Sequence, residues 1–260
     1  MSASKDTTGK TLIVAFALCV VCSVLVSSLS VGLKPRQLRN KELDMKKNIL
    51  MAAGEYNDQM SIGEQFKKFS TFVVDLEKGE INSSIKTDGF DENRLMKDSS
   101  TRHDIDSKKD LGKIKKRAKY SLIYAIKENG QIKKLILPVR GKGLWSTLYG
   151  FLALDSDYNT VKGLGFYSHG ETPGLGGEVD NPSWKKKWIG KKAFSSSGQA
   201  ALEVVKGLAR SSNSNFDHQV DGLSGATLTS NGVTGLLRYW LGEDGFGPFL
   251  VKLKTGNIQL

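Results

Sequence analysis

Residues 221–231, Asp221-Gly222-Leu223-Ser224-Gly225-Ala226-Thr227-Leu228-Thr229-Ser230-Asn231, place small residues and hydroxyl side chains directly ahead of an apolar run. The run, Val233, Leu236, Leu237, Trp240 and Leu241, falls at i, i+3, i+4, i+7 and i+8 and predicts one apolar face of a helix. Small residues clear space, hydroxyls offer hydrogen bonds, and a helix N-terminus favours an anion, so the segment suits a phosphate seat. The competing reading is an ordinary helix start capped by Ser230 or Asn231. A second stretch, His169-Gly170-Glu171-Thr172-Pro173-Gly174-Leu175-Gly176-Gly177, predicts a stiff turn whose backbone N–H groups approach a ligand closely. Its competing reading is a plain tight loop.

Other chemistries have less support. Ser224 or Thr227 as a hydrolytic nucleophile needs a base; His218 is near in sequence, but no third group is evident. Residues 141–146 begin like a dinucleotide fingerprint but end in Ser146 ahead of a strand. Gly9-Lys10-Thr11 ends like a P-loop, but Ser4 holds the leading glycine position. The 2 cysteines, Cys19 and Cys22, lie in an apolar run, which excludes a disulfide scaffold, a Cys-ligated zinc site or an iron–sulfur cluster in this chain alone. The 3 histidines are too dispersed to suggest a metal site. Trp184-Lys185-Lys186-Lys187-Trp188, with Lys191 and Lys192, reads as a packed Trp pair under a solvated basic face. No nucleic-acid partner is expected.

These segments need a scaffold. The chain has 260 residues and a formal net charge of +11, with 39% apolar and 25% charged residues. That composition fits one large or two small folded domains, not a disordered or multi-span chain. Residues 11–33 carry no charge and would span roughly 35 Å as a helix, enough to cross a bilayer core. A cleaved signal, with Lys5 and Lys10 as its basic start and Ser28-Leu29-Ser30 as its cleavage site, is the alternative; the apolar region is long for it. Lys34, Arg36, Arg39 and Lys41 outweigh Lys5 and Lys10, so charge alone would hold the large domain in the cytoplasm.

Downstream, 38–53 predicts a helix stopped by Gly54, and Ile62, Phe66 and Phe69 follow at helical spacing. Residues 71–76 predict a strand, and 91–117, dense in charge, a long surface excursion. Tyr120, Leu122, Tyr124 and Ile126 alternate before the Asn129-Gly130 turn and a strand over 132–139. Strands over 148–154 and 161–166 follow, and 200–209 predicts a helix. Strands in hairpins with helices at the ends give an α+β fold: one N-terminal transmembrane helix, then a single soluble domain of antiparallel strands and peripheral helices.

Residues 221–227 match the pattern by which a flavin transferase joins FMN to a threonine through a phosphodiester bond. With the anchor and segments 34–54, 141–145, 169–176 and 181–188, the chain resembles the C-subunit family of the Na+-translocating NADH:quinone reductases over nearly its full length. The resemblance implies a cytoplasmic N-terminus over 1–10, an anchor over 11–33 and an FMN-binding domain over 34–260. It places that domain on the periplasmic side of a bacterial inner membrane, against the charge count. It implies FMN esterified to Thr227, with Asp221, Ser224, Gly225 and Ala226 forming the recognition turn. Glu171, Thr172 and Leu175 would line the flavin site, and Trp145 would pack near the ring.

The implied function is electron relay from NADH towards ubiquinone, coupled to Na+ export, as a redox subunit that is not catalytic alone. The expected partners are the other subunits, the membrane and, during maturation, a flavin transferase. The anchor carries no intramembrane charge for a Na+ path, and the chain has no nucleotide motif for NADH, so both tasks fall to partners. Two alternatives remain open. One is the FMN-carrying G-type member of the Rnf electron-transport complex, from which segment 34–54 separates this chain. The other is a non-catalytic anchored binding module using the basic 184–192 face.

Overall fold

The computed structural model describes residues 7–258 and 260; Lys5, invoked above as part of a signal, and Ser4 lie outside them. The chain divides into two compact units between Asp44 and Met45. Helix α1 (Thr8–Ala52) is 45 residues long and contains Pro35. The separate helix expected over 38–53 is therefore part of one continuous element. Proline removes one backbone hydrogen bond, but Lys34, Arg36, Gln37, Leu38 and Arg39 around it are strong helix formers. Within the first unit the apolar side chains are exposed, and the helix is long and apolar enough to cross a membrane. Gly54, at φ +66°, ends the helix as expected. Its N–H donates to the Met51 carbonyl (3.1 Å) and that of Glu55 to Leu50 (2.8 Å), the paired bonds of a left-handed C-terminal cap.

The second unit is built on a six-stranded antiparallel sheet. Its strands are β1 (Phe69–Asp75), β2 (Glu80–Ile81), β5 (Tyr120–Glu128), β6 (Gln131–Lys142), β7 (Thr147–Asp155) and β8 (Val161–Ser168), in the order β2-β1-β5-β6-β7-β8. Both faces are covered. On one, Ile123, Ala125, Leu135, Leu137, Leu152 and Leu154 pack beneath α5 (Thr227–Leu241) and α6 (Gly247–Lys254). On the other, Tyr124, Ile126, Ile136, Phe151 and Ala153 pack against Ile49, Leu50, Ala52 and Ala53, with Phe66 beside them. The alternation read over 120–126 thus marks only one of two buried faces, because a doubly covered strand loses its polar side.

Three local readings change. Phe69 opens β1 instead of continuing the helix α2 (Ile62–Phe66). Its ring stacks on Phe66 at 5.1 Å, so helical spacing reflected a contact across the helix–strand join. The charged 91–117 stretch holds α3 (Glu92–Lys97) and the paired strands β3 (Arg102–Asp104) and β4 (Lys116–Ala118). Arg117 there is 1% exposed, its Nε donating to the Asp244 carbonyl at 2.7 Å and its Nη1 to the Ala118 carbonyl at 3.1 Å. Residues 200–209 are not helical. Glu203 and Val204 form β9 (Glu203–Val204), parallel to β10 (Gln219–Val220). Alternate burial of Leu202 and Val204 and the positive φ of Gly207 (+79°) override the local helix preference. The two tryptophans of α4 (Pro182–Lys186) and the turn after it do form a pair: Trp184 and Trp188 meet edge to face at 5.5 Å, both buried.

Candidate functional site

Helix α5 begins at Thr227, not beyond Ser230. Its N-cap, Ala226, has no side-chain acceptor, so no side chain caps the first turn. The unpaired N–H groups and positive dipole end of that turn are left available to an anion. Ser230, expected as a cap, sits inside the helix, where its Oγ accepts the Leu223 N–H (3.1 Å). The turn ahead of α5 is further closed by the Ala226 N–H donating to the Leu223 carbonyl (3.1 Å). Gly225 has φ +68°, a conformation that favours glycine, and a Cβ there would come within 2.9 Å of Leu175 Cδ2. Buried Ala226 anchors this turn while Ser224, Gly225, Thr227 and Leu228 face solvent.

Glu171 joins three separate segments. It is 5% exposed, and its carboxylate accepts four hydrogen bonds. Oε1 takes the N–H groups of Trp145 (3.0 Å) and Ser146 (3.1 Å); Oε2 takes the Leu144 N–H (3.2 Å) and the Thr229 hydroxyl (2.6 Å). The β6–β7 turn, the 169–177 loop and the first turn of α5 are thereby tied together. A Cβ on Gly143 would lie 2.6 Å from Glu171 Oε1, and one on Gly176 2.6 Å from Thr229 Oγ1, so both glycines permit the close approach. The loop is braced from its other side by His169, whose Nδ1 accepts the Glu171 N–H (3.2 Å) while Nε2 meets Asp180 Oδ2 (2.7 Å). That bonding fixes the tautomer: the proton resides on Nε2.

Burial by itself would raise the Glu171 carboxyl, but the bonds from Thr229, Ser146, Trp145 and Leu144 outweigh it and hold the group below its ordinary 4.5. A depressed carboxyl stabilises the fold above that ordinary value, and the contribution is lost as pH falls through the folded-state value. The melting temperature advantage of the wild type over Glu171→Gln is therefore expected to be full near neutrality and to shrink below about pH 4.5. A gap unchanged down to the acid limit of folding would contradict this.

Beside the α5 start is an open cleft of about 330 Å³, lined among others by Lys206, Leu208, Ser224, Gly225, Thr227 and Asn231. Its far wall is the 200–209 segment, whose expected helix hides Lys206 and Leu208 from a reading of the sequence. The signal that could have found them is Gly207, which breaks a helix more readily than the flanking alanines make one. Thr229 is likewise not singled out by sequence, although it lies in the motif; only its partner, 58 positions away, gives it a role. The segments that meet here carry exposed apolar side chains: Leu208, on the cleft, is 74% exposed, Trp145 66% and Leu228 59%.

Apart from Ala226, buried in the turn, the residues singled out from sequence take different places around the α5 start. Ser224, Gly225 and Thr227 line the cleft, and Leu175 lies against the Gly225 backbone. Trp145 reaches the same region through its backbone N–H on Glu171, with its indole in solvent. Thr172 is exposed, and its carbonyl accepts the Leu175 (3.1 Å) and Gly177 (2.9 Å) N–H groups, making the loop's turn. By contrast, the Glu171 carboxylate is turned into the protein, and the Asp221 carboxylate is taken up by Lys187 and the Ala209 N–H (2.8 Å).

Much of the basic run beside the Trp pair is engaged within the chain, Lys192 with Asp157 (3.6 Å) included. Lys185 pairs with Asp180 (2.9 Å) and Lys187 with Asp221, while Lys191 covers the Phe216 ring at 3.6 Å.

The chain is similar to known proteins. The FMN-binding domain family matches residues 143–242, a span that holds the β6–β7 turn, the 169–177 loop and α5. The C subunit of the Na(+)-translocating NADH-quinone reductase of Pseudomonas aeruginosa is 46% identical over 260 residues, covering 98% of this chain and 99% of the relative. That of Vibrio anguillarum is 43% identical, covering 100% of both chains. Among solved structures, Shewanella oneidensis NqrC superposes with a TM-score of 0.76 at 34% identity, over 83% of this chain and 99% of that one.

Proposed function

The chain belongs to the C-subunit family of Na+-translocating NADH-quinone reductases, and from that premise we propose how its site carries flavin and relays electrons. It is a redox subunit of the Na+-translocating NADH:quinone reductase complex, not catalytic alone, and it works with the other subunits of that complex. It binds FMN and passes electrons between partner subunits during quinone reduction. It is a single-pass inner-membrane protein. Full-length relatives that are C subunits favour this family over the Rnf protein, and the FMN-binding match disfavours a binding module without a cofactor.

The finer reading is that FMN is held covalently, through its phosphate, by Thr227. The observation that carries it is the exposed Thr227 at the uncapped start of α5, inside the FMN-binding span. A phosphodiester on Thr227 would lie at the positive end of a 15-residue helix, beside the 330 Å³ cleft. Attachment would join Thr227 Oγ to the FMN-side phosphorus of FAD as the P–O bond of its phosphoanhydride breaks and AMP leaves, with the hydroxyl proton passing to a base on the transferase. Bound FMN supplies the electron-carrying chemistry; the protein fixes its place and surroundings. Ser224, Gly225 and Ala226 shape the turn that presents Thr227, and Leu175, Leu208, Leu228 and Trp145 offer apolar surface to a planar ring. Glu171 contributes by holding the three site segments together, and Thr172 by closing the 169–177 turn.

Residues 11–33 are proposed to cross the membrane, with 1–10 cytoplasmic and 34–260 forming a periplasmic FMN-binding domain. A translocated domain of this size overrides the flanking charges. Peptide mass mapping of the chain matured beside a flavin transferase tests the attachment: FMN is expected on the peptide containing Thr227, and FMN on another residue would reject it. Protease added outside intact spheroplasts is expected to digest the domain; protection would place it on the cytoplasmic side.

A further inference from the structure

We propose that Lys187 is a positioning residue for flavin attachment, acting through Asp221 to clamp the start of the attachment turn onto α4. Asp221 precedes Thr227 by six positions and opens the motif. Its carboxylate oxygens and its carbonyl are all engaged within this chain. Oδ2 is paired with Lys187 Nζ, Oδ1 accepts the Ala209 N–H (2.8 Å), and the carbonyl accepts the indole N–H of Trp184 (2.8 Å). The next residue, Gly222, donates to the Gly207 carbonyl at 2.7 Å. The front of the turn is thus clamped between the α4 region on one side and segment 207–209 on the other.

The back of the turn is fixed independently, by the Leu223 N–H on Ser230 Oγ and the Ala226 N–H on the Leu223 carbonyl. Thr227 projects from the helix start that these two anchorages locate. Trp184 is itself rigid, buried against Trp188, so α4 offers a firm base. Burial would raise the Asp221 carboxyl, but Lys187 and the Ala209 N–H outweigh it and keep the group ionised at neutral pH. The Asp221 side chain is 17% exposed and its carboxylate faces its own chain, so the motif's acid serves to set the turn and is not presented to the transferase. Lys187, with 45% of its side chain exposed, contributes little to global stability, because half-solvated ion pairs are screened.

This inference rests on the reading of Thr227 as the attachment site, and the test separates the two. The full chain, purified without flavin in detergent, is mixed with flavin transferase and FAD, and covalent fluorescence is followed in denaturing gels. Lys187→Met and a second neutral variant, Lys187→Gln, are expected to lower the kcat of flavin transfer about tenfold with KM little changed, and Lys187→Arg to recover to within about twofold, as misplacement of a reacting group predicts. Circular dichroism and melting temperature are expected to match the wild type. Transfer to both neutral variants at the wild-type rate would overturn the proposal, and so would an equal loss in Lys187→Arg. Covalent fluorescence in a parallel Thr227→Ala sample would overturn the attachment reading itself.

Discussion

Thr227→Ala abolishes covalent flavin and leaves the domain folded: that is the expected result when the variant and the wild type are each produced beside a flavin transferase. Thr227 is solvent-exposed at the first position of α5, so truncating it removes little packing, and alanine is the better helix former. The expected change in stability is within about 0.5 kcal/mol, as for most surface substitutions. On the proposed attachment the hydroxyl, by contrast, is the group that forms the bond to phosphorus, and a methyl group has no substitute for it. The neighbouring hydroxyls are poorly placed to take over, since Thr229 is fully buried on Glu171 and Ser230 is committed to the Leu223 N–H. Ser224 is exposed but lies across the Gly225 bend, off the helix start. A denaturing gel read by flavin fluorescence, with circular dichroism on the same samples, decides it. A fluorescent band in the variant, or an unfolded variant, would reject this account.

Glu171→Gln is expected to damage the site from within. The carboxylate accepts two bonds on each oxygen, and glutamine must present an NH₂ group to one pair of those donors. Whichever way the amide turns, buried donors are left facing a donor. With charge-assisted bonds worth about 1.5–3 kcal/mol each and unmet groups costing more, a loss of about 2–4 kcal/mol is expected. For a domain of this size that corresponds to a melting temperature roughly 5–15 °C lower. The break should be local first: the 169–177 loop and the β6–β7 turn lose their common anchor while the sheet beneath keeps its core. Hydrogen exchange is expected to quicken most at the Leu144, Trp145 and Ser146 amides in the variant, and at the β5–β6 amides only by the share that the lower global stability itself imposes. Equal quickening at both sets would mean that Glu171 supports the whole domain and not the site first.

Much of this protein is local in sequence. The uncharged 11–33 run, the Gly54 stop, the Asn129-Gly130 hairpin and the α5 apolar face are each written in adjacent or helically spaced residues, because hydropathy and backbone preference act over a few positions. The motif proposed for attachment is equally local, so Thr227 can be singled out from its neighbours. Where tertiary contact outweighs local preference, the reading fails. Ala200, Ala201 and Ala209 suggest a helix, but burial of Leu202 and Val204 and pairing of β9 with β10 make that segment a wall of the cleft.

Glu171 is the sharper case. Residues 169–177 identify a stiff loop, yet no spacing shows that its acid binds amides 25–27 positions earlier and a hydroxyl 58 positions later. Asp221 is similar: the motif names it, but only folding brings Lys187, 34 positions away, onto its carboxylate. Local residue patterns specify the apolar N-terminal helix, most strands of the main sheet and α5, and they single out Thr227 as the threonine proposed for attachment. Tertiary structure alone decided which charges meet, because a buried carboxylate takes its partners from whatever donors the packed chain brings within 3 Å or so, and chain separation places no limit on that choice.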